Sequence, residues 1–235
     1  MLAVALILGV AACAQVVTGF GYSLLSVPLL GLVVGPVDAV VGSTILVLFV
    51  NLVMAVRDRS HVRWAVARTV LVAGLPGLPI GLWLLHVLTA RTLSVLIAVV
   101  VLAGTVAIGA GLRIRPRSLT LAAAGLLSGV LTTSAGVNGP PMAAVFSAMG
   151  LPPRPFRATL AAVFAVAGLG AVAGFAVTGQ ITSTAWLVTM VGGPAVVAGW
   201  LAGDRIFTRL TNFRTVVLCA LVLASLTTLG RAVAG

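Results

Sequence analysis

Two uncharged stretches hold the polar side chains and flexible backbone from which a site could be built. They are Thr18-Gly19-Phe20-Gly21-Tyr22-Ser23 and Thr132-Thr133-Ser134-Ala135-Gly136-Val137-Asn138-Gly139-Pro140-Pro141. Glycine at positions 19, 21, 136 and 139 permits positive φ and close backbone approach. Pro140 and Pro141 have no N–H to donate. Thr133, Ser134 and Asn138 add neutral hydrogen-bonding groups. A helix that begins at such a break aims free N–H groups and the positive end of its dipole at the break, which suits an anion. Gln15 lies one turn before the first stretch and is a further cavity candidate. The expected substrate-binding set is Gln15, Thr18, Gly19, Gly21, Ser23, Thr133, Ser134, Gly136, Asn138, Gly139 and Pro140, with no catalytic residue, no metal ligand and no cofactor.

The rest of the composition says what surrounds these stretches. Of 235 residues, 61% are hydrophobic and 7% charged, against roughly a quarter charged in soluble domains. The chain is therefore read as an all-α, polytopic membrane protein. Its charge is lopsided: 14 basic residues, all Arg, face three acids, Asp38, Asp58 and Asp204, for a net charge of +11. The absence of Glu excludes carboxylate-pair catalysis, an acidic metal cage and a glutamate proton relay. Scattered between apolar runs, the Arg residues form no basic groove, so nucleic acid is not an expected partner. Cys13 and Cys219 lie in apolar runs without metal spacing and read as free thiols. Val10 to Cys13 mimics a signal-cleavage box, but no basic stretch precedes it, so the segment is expected to stay in the mature protein.

Ten apolar runs follow one another: Leu2–Val17, Phe20–Val34, Ala39–Val56, Trp64–Leu85, Leu93–Leu112, Leu119–Thr133, Pro140–Met149, Ala158–Thr178, Ala185–Leu201 and Val216–Leu229. A bilayer core of ~30 Å needs about 20 helical residues. The third, fourth, fifth, eighth, ninth and tenth runs suit spanning helices, the ninth marginally. The first and second, and the sixth and seventh, are short pairs joined by the two uncharged stretches. Each half, 1–115 and 116–235, thus reads as a Gly-rich short-helix pair followed by three spans. Shifting the chain by 118 positions places Gly74 on Gly192, Pro76 on Pro194, Gly81 on Gly199 and Arg91 on Arg209. A shift of 115 places Gly21 on Gly136, Gly35 on Gly150 and Thr44 on Thr159.

The Arg residues report orientation. They follow the third run (Arg57, Arg59, Arg63), the fifth (Arg113, Arg115, Arg117), the seventh (Arg154, Arg157) and the ninth (Arg205, Arg209, Arg214). If each short pair is a hairpin returning to its own side, all four connections share one face, which Arg bias marks as cytoplasmic. Equivalent loops of the halves then carry opposite bias, as inverted repeats do. The rival arrangement makes each short pair one broken span and the halves parallel. In the inverted arrangement the two tips approach each other inside the membrane, where irregular backbone is tolerated only if buried in protein or lining a wet cavity.

The second stretch, flanked by Ser128-Gly129, Gly150-Leu151-Pro152-Pro153 and Phe156-Arg157-Ala158-Thr159, resembles the second-repeat signature of the TauE/SafE family of membrane transporters. Gly19-Phe20-Gly21 leading to Val27-Pro28 is similar to that family's first Gly-rich motif, although Tyr22 and Ser23 stand where Gly often follows. The resemblance covers nearly the whole chain. It implies a multi-pass transporter in a bacterial-type plasma membrane, moving small organosulfur anions such as sulfite, sulfonates or sulfoacetate. Alternating access would run around the two motifs. The implied partners are the anion and the lipid bilayer, and a homo-oligomer is compatible with the pattern.

The remaining polar residues read less sharply. Asn51, Ser43, Thr44 and Thr159 either face the cavity or bond across helices. Arg68 and Arg157 sit just inside runs, where snorkelling to headgroups outweighs ligand binding. His61 and His86 read as interface histidines, and Trp64, Trp83, Trp186 and Trp200 as an aromatic belt. No acid lies within a long run, which disfavours an intramembrane carboxylate relay. An intramembrane protease finds neither a His partner for Ser134 nor a facing Asp pair. A passive anion channel of the same fold is the alternative to a carrier.

Overall fold

The computed structural model describes residues 1–109 and 117–206, without the side chains of residues 17, 18, 104, 105, 107–109 and 206. The tenth run, with Cys219, Arg209, Arg214 and Arg231, lies outside the described residues, as do Arg113 and Arg115. All regular structure among the described residues is helical: α1 (Leu2–Thr18), α2 (Gly21–Val34), α3 (Pro36–Arg57), α4 (Trp64–Gly74), α5 (Gly77–Val87), α6 (Ala90–Gly109), α7 (Ser118–Ser134), α8 (Gly139–Ala148), α9 (Pro153–Val177) and α10 (Ser183–Ile206), with a short 3₁₀ turn at Arg59–His61.

Three of these, α3, α9 and α10, are long and apolar enough to cross a bilayer. Their outer surfaces fit that solvent: Phe49, Val53, Val56, Val177, Met190 and Val197 are exposed large apolar side chains. The polar groups run the other way. Gln15, Ser26, Ser43, Asn51, Thr133, Ser134 and Thr159 are all buried, as expected where the surrounding solvent is hydrocarbon.

The fourth run departs from the expected single span. It is two helices, α4 and α5, bent by 44° at Leu75 and Pro76, and it makes a fourth crossing only if the bent pair counts as one. Proline removes one backbone donor and crowds the preceding turn, a common cause of such a bend. Its counterpart 118 positions on, Pro194, stays inside the continuous α10. The bent segment also has Gly77 and Pro79, where the counterpart has Ala195 and Val197.

Small residues set the packing partners. α1 lies along α10, and α4 and α5 lie along α7. A Cβ on Gly199 would collide with the Gly9 carbonyl, and one on Gly129 with the Gly74 carbonyl. These backbones are thus in direct contact, the mode by which membrane helices associate without a hydrophobic driving force. Both contacts run in parallel: Leu8 meets Gly192 and Cys13 meets Gly203, while Val70 meets Gly125 and Gly81 meets Val130.

α3 and α9 pack in the opposite sense. At one end Asp58 faces Arg154 at 3.7 Å and the Arg63 N–H donates to Thr159 Oγ1 at 3.0 Å. At the other, Asp38 near the start of α3 accepts a hydrogen bond from Thr182, just past the end of α9. Arg57 at the end of α3 also faces Asp204 at the end of α10, at 3.9 Å. The Arg residues at the end of α3, the start of α9 and the end of α10 therefore gather at one end of the bundle.

Candidate functional site

Both short pairs break where the sequence places them. α1 ends at Gly19, which takes φ +86° and donates its N–H to the Gln15 carbonyl at 2.7 Å. An L side chain here would sit in the strained left-handed region. Phe20 caps α2, which starts at Gly21. The Gln15 side chain closes the break. Its Nε2 donates to the Gly19 carbonyl (3.2 Å) and to Asn51 Oδ1 on α3 (3.1 Å), while its Oε1 accepts the Tyr22 N–H at 3.0 Å. One amide thus satisfies a carbonyl at the end of α1 and an N–H at the start of α2, groups that helix ends otherwise leave open. Gln15 spends its polar atoms holding the break together.

The second break uses backbone and hydroxyls instead. The Ala135 and Val137 N–H groups both donate to the Leu131 carbonyl, at 3.1 and 3.2 Å, around Gly136 at φ +66°. Thr133 Oγ1 donates across to the Leu78 carbonyl of α5 at 2.8 Å, and Ser134 Oγ to the Val130 carbonyl at 2.8 Å. Asn138 precedes α8. Its Nδ2 donates to Thr132 Oγ1 at 3.1 Å, and its carbonyl accepts from Ser128 at 3.4 Å. Nδ2 carries two hydrogens, so one remains for a guest.

The two breaks meet. A Cβ on Gly139 would lie 3.1 Å from the Phe20 carbonyl oxygen and side chain, and one on Gly136 would lie 3.2 Å from Val27 of α2. The first residues of α2 and α8, Gly21 and Gly139, are 118 positions apart, as are their preceding residues Phe20 and Asn138. The breaks thus follow the same offset as the later glycines, where the shift of 115 had set Gly21 on Gly136. Phe20 and Asn138 are half-buried, while Gly19, Gly21, Ser23, Thr133, Ser134, Gly136, Gly139 and Pro140 are buried. Thr18 is the one sequence candidate whose side chain is outside the described set.

The arrangement supplies converging helix N-termini and neutral donors in an apolar surround. α8 offers fewer N–H groups than α2, because Pro140 and Pro141 follow Gly139 directly. A neighbouring cavity of about 650 Å³ lies between α5, α6, α7 and α8, with Leu96, Val100, Leu127 and Val145 among its walls alongside Ser134 and Pro140. Walls so poor in donors suit an acyl chain better than a bare anion.

From sequence, Arg157 reads as a snorkelling side chain rather than a ligand. The fold lays its stem on the first break, its Cγ 3.1 Å from where a Gly19 Cβ would be. Its position one residue before Ala158-Thr159 in the second motif was the available signal. Asn51, left open between cavity and helix bonding, is bonded to Gln15. Thr44 donates back to the Val40 carbonyl and Thr159 to the Pro155 carbonyl, while Thr159 also receives the Arg63 N–H. His86 meets Gln180 at the exposed end of α5, and His61 meets Ser60 in the exposed turn after α3.

Known proteins match this chain along nearly its full length. The family model described as sulfite exporter TauE/SafE matches residues 3–228. A curated relative, the probable sulfite/organosulfonate exporter TauE of Cupriavidus necator, is 28% identical over 211 residues, covering 85% of this chain and 81% of its own. No solved structure gives a significant match.

Proposed function

The chain belongs to the sulfite exporter TauE/SafE family, whose members are membrane transporters, and on that footing we propose that it carries a small sulfur oxyanion across a bacterial-type plasma membrane. Sulfite, a sulfonate or sulfoacetate is the substrate class, in keeping with the name of the Cupriavidus relative. The observation that carries the site assignment is the junction of the two breaks, Phe20 against Gly139, where the N-termini of α2 and α8 come together. Helix N-termini favour negative charge without a fixed counter-ion. A site of this kind holds an anion loosely enough to release it, whereas a buried ion pair holds it hard.

Within that site Asn138 has the free amide hydrogen and the accessibility to touch the substrate. Gly19, Gly21, Gly136 and Gly139 let backbone approach, and Ser23 and Pro140 line the first turns of the two helices. Gln15, Thr133 and Ser134 hold the breaks in shape through bonds to backbone carbonyls. Arg157 draws the anion toward the first break from the Arg-rich end, which is the cytoplasmic face by the Arg bias.

Two features support halves inserted in opposite senses, 1–115 and 116–235. α3 and α9, the first long helix of each half, run antiparallel side by side. The packing α1 on α10 is matched, with the halves exchanged, by α7 on α4 and α5. Halves so related would exchange roles between an inward-open and an outward-open arrangement, which is alternating access. The test is sulfite flux in proteoliposomes. Asn138→Ala should cut uptake at least about tenfold, as loss of a hydrogen bond to a charged group does, with the melting temperature kept. Unchanged flux would remove the junction as the site.

A further inference from the structure

Three hydroxyls on the α2–α3 pair find no hydrogen-bond partner among the described residues: Tyr22 Oη, Ser26 Oγ and Ser43 Oγ. All three residues are fully buried at 0% exposure. Their neighbours show how a helical hydroxyl in apolar surroundings ordinarily settles. Thr44, Thr132 and Thr189 each donate to the carbonyl one turn back, on Val40, Ser128 and Ala185. Ser26 and Ser43 have the same option and do not take it. A buried polar group left open costs stability, so three together call for a guest that the protein alone does not supply.

Their placement points to which guest. Tyr22 is the second residue of α2, directly after the first break, and its backbone N–H is already held by Gln15. Ser26 follows one turn later on the same face. Helical side chains lean toward the N-terminus, so both incline toward the break at Phe20. Ser26 is nine residues before Gly35 and Ser43 eight after it, which puts both roughly 12–14 Å along their helices from the turn. α2 packs on α3 over this stretch, and Val27 and Val40 converge on Gly136 of the second break.

We propose that Tyr22, Ser26 and Ser43 form a second binding station for the substrate, a strip of neutral donors that takes the oxygens of the oxyanion as it moves from the Phe20–Asn138 junction along the α2–α3 pair. The strip rests on the reading of the chain as an oxyanion carrier and extends its site. Hydroxyls fit this task because each can rotate to donate to an oxygen of the anion and release it again. They add no fixed charge that would trap it.

Tyr22→Phe, Ser26→Ala and Ser43→Ala each remove one hydroxyl with little change in volume. The assay is sulfite titration of the purified full-length protein in detergent, read as the shift in melting temperature, with Asn138→Ala in parallel. Each hydroxyl variant is expected to melt at or above the unmodified protein without ligand, because an orphaned group has been removed. Each should bind sulfite about tenfold more weakly, the factor for a lost hydrogen bond to a charged group. Unchanged sulfite affinity in all three variants overturns the strip, and so does a lowered ligand-free melting temperature, which would make the hydroxyls structural. Unchanged affinity in these three with loss in Asn138→Ala sinks the strip alone. Loss in these three with none in Asn138→Ala keeps the strip and sinks the junction. No binding of sulfite or sulfoacetate by the unmodified protein sinks both.

Discussion

Replacing Gln15 by Ala separates a residue that holds the first break from one that binds the substrate. The side chain is 2% exposed and makes three hydrogen bonds, to the Gly19 carbonyl, Asn51 Oδ1 and the Tyr22 N–H. Truncation leaves all three partners buried. On the scale of hydrogen bonds between membrane helices, about 0.6 kcal/mol each, the loss is about 2 kcal/mol. If each orphaned group costs about 1–3 kcal/mol, the loss reaches about 3–9 kcal/mol, less whatever an entering water restores. A loss of about 2–5 kcal/mol is therefore expected. Gln15→Glu should be nearly as damaging, since it keeps an acceptor for Tyr22 but sets oxygen against the Gly19 carbonyl and Asn51. Gln15→Met keeps the volume and should fall with Ala, because hydrogen bonds and not size are at issue. Thermal melts of the purified protein in detergent, alongside sulfite flux, provide the readout. The reasoning is refuted if Gln15→Ala melts with the unmodified protein while transport is lost. That result would move Gln15 from clamp to ligand.

The helix contacts give a graded set. Gly129→Ala and Gly199→Ala drive a Cβ into the Gly74 and Gly9 carbonyls and should each cost more than about 2 kcal/mol, whereas Gly193→Ala, with nothing within 4 Å, should be neutral or stabilising by up to about 1 kcal/mol in the same melts. Gly19→Ala adds left-handed strain at φ +86° and presses on Arg157, so it should lower the melting temperature and the flux together. Arg154→Gln breaks a pair whose Arg side chain is 72% exposed and should shift stability by less than about 1 kcal/mol. For orientation, single cysteines at Arg59 and at Thr182 in a background lacking the native thiols should label from opposite sides of intact cells, and labelling of both from one side would refute the inverted arrangement. A carrier, finally, should show faster sulfite efflux when sulfite is present on the far side. Flux indifferent to it would favour a channel.

Much of the molecule is legible in the residues in order. Hydropathy marks where helices lie, because the cost of taking a backbone or a charge into hydrocarbon is local to each segment. The breaks at Gly19 and Gly136 are also local, since a positive φ and paired prolines leave a signature in the residues themselves. The Arg residues are placed for the same reason, and those of α3 and α9 meet acids at one end of the bundle. The bend at Pro76 shows the limit of reading one residue: Pro194 lies within the continuous α10, and only the bent segment adds Gly77 and Pro79, where the counterpart has Ala195 and Val197.

The sequence by itself thus determined the class of the protein, the place of its two breaks and their neutral chemistry. Only the tertiary structure decided how that chemistry is used. Gln15, Thr133 and Ser134 looked like ligands and are committed to backbone carbonyls. Tyr22 and Ser26 are outside the expected ligand set and are left with open hydroxyls. Arg157 looked like a headgroup contact and lies on Gly19. A hydrogen bond is satisfied by whatever the fold brings within about 3 Å, and for Gln15 and Asn51 that partner is 36 residues away. Composition and spacing fix which donors exist, and the packing of distant segments fixes which of them remain free.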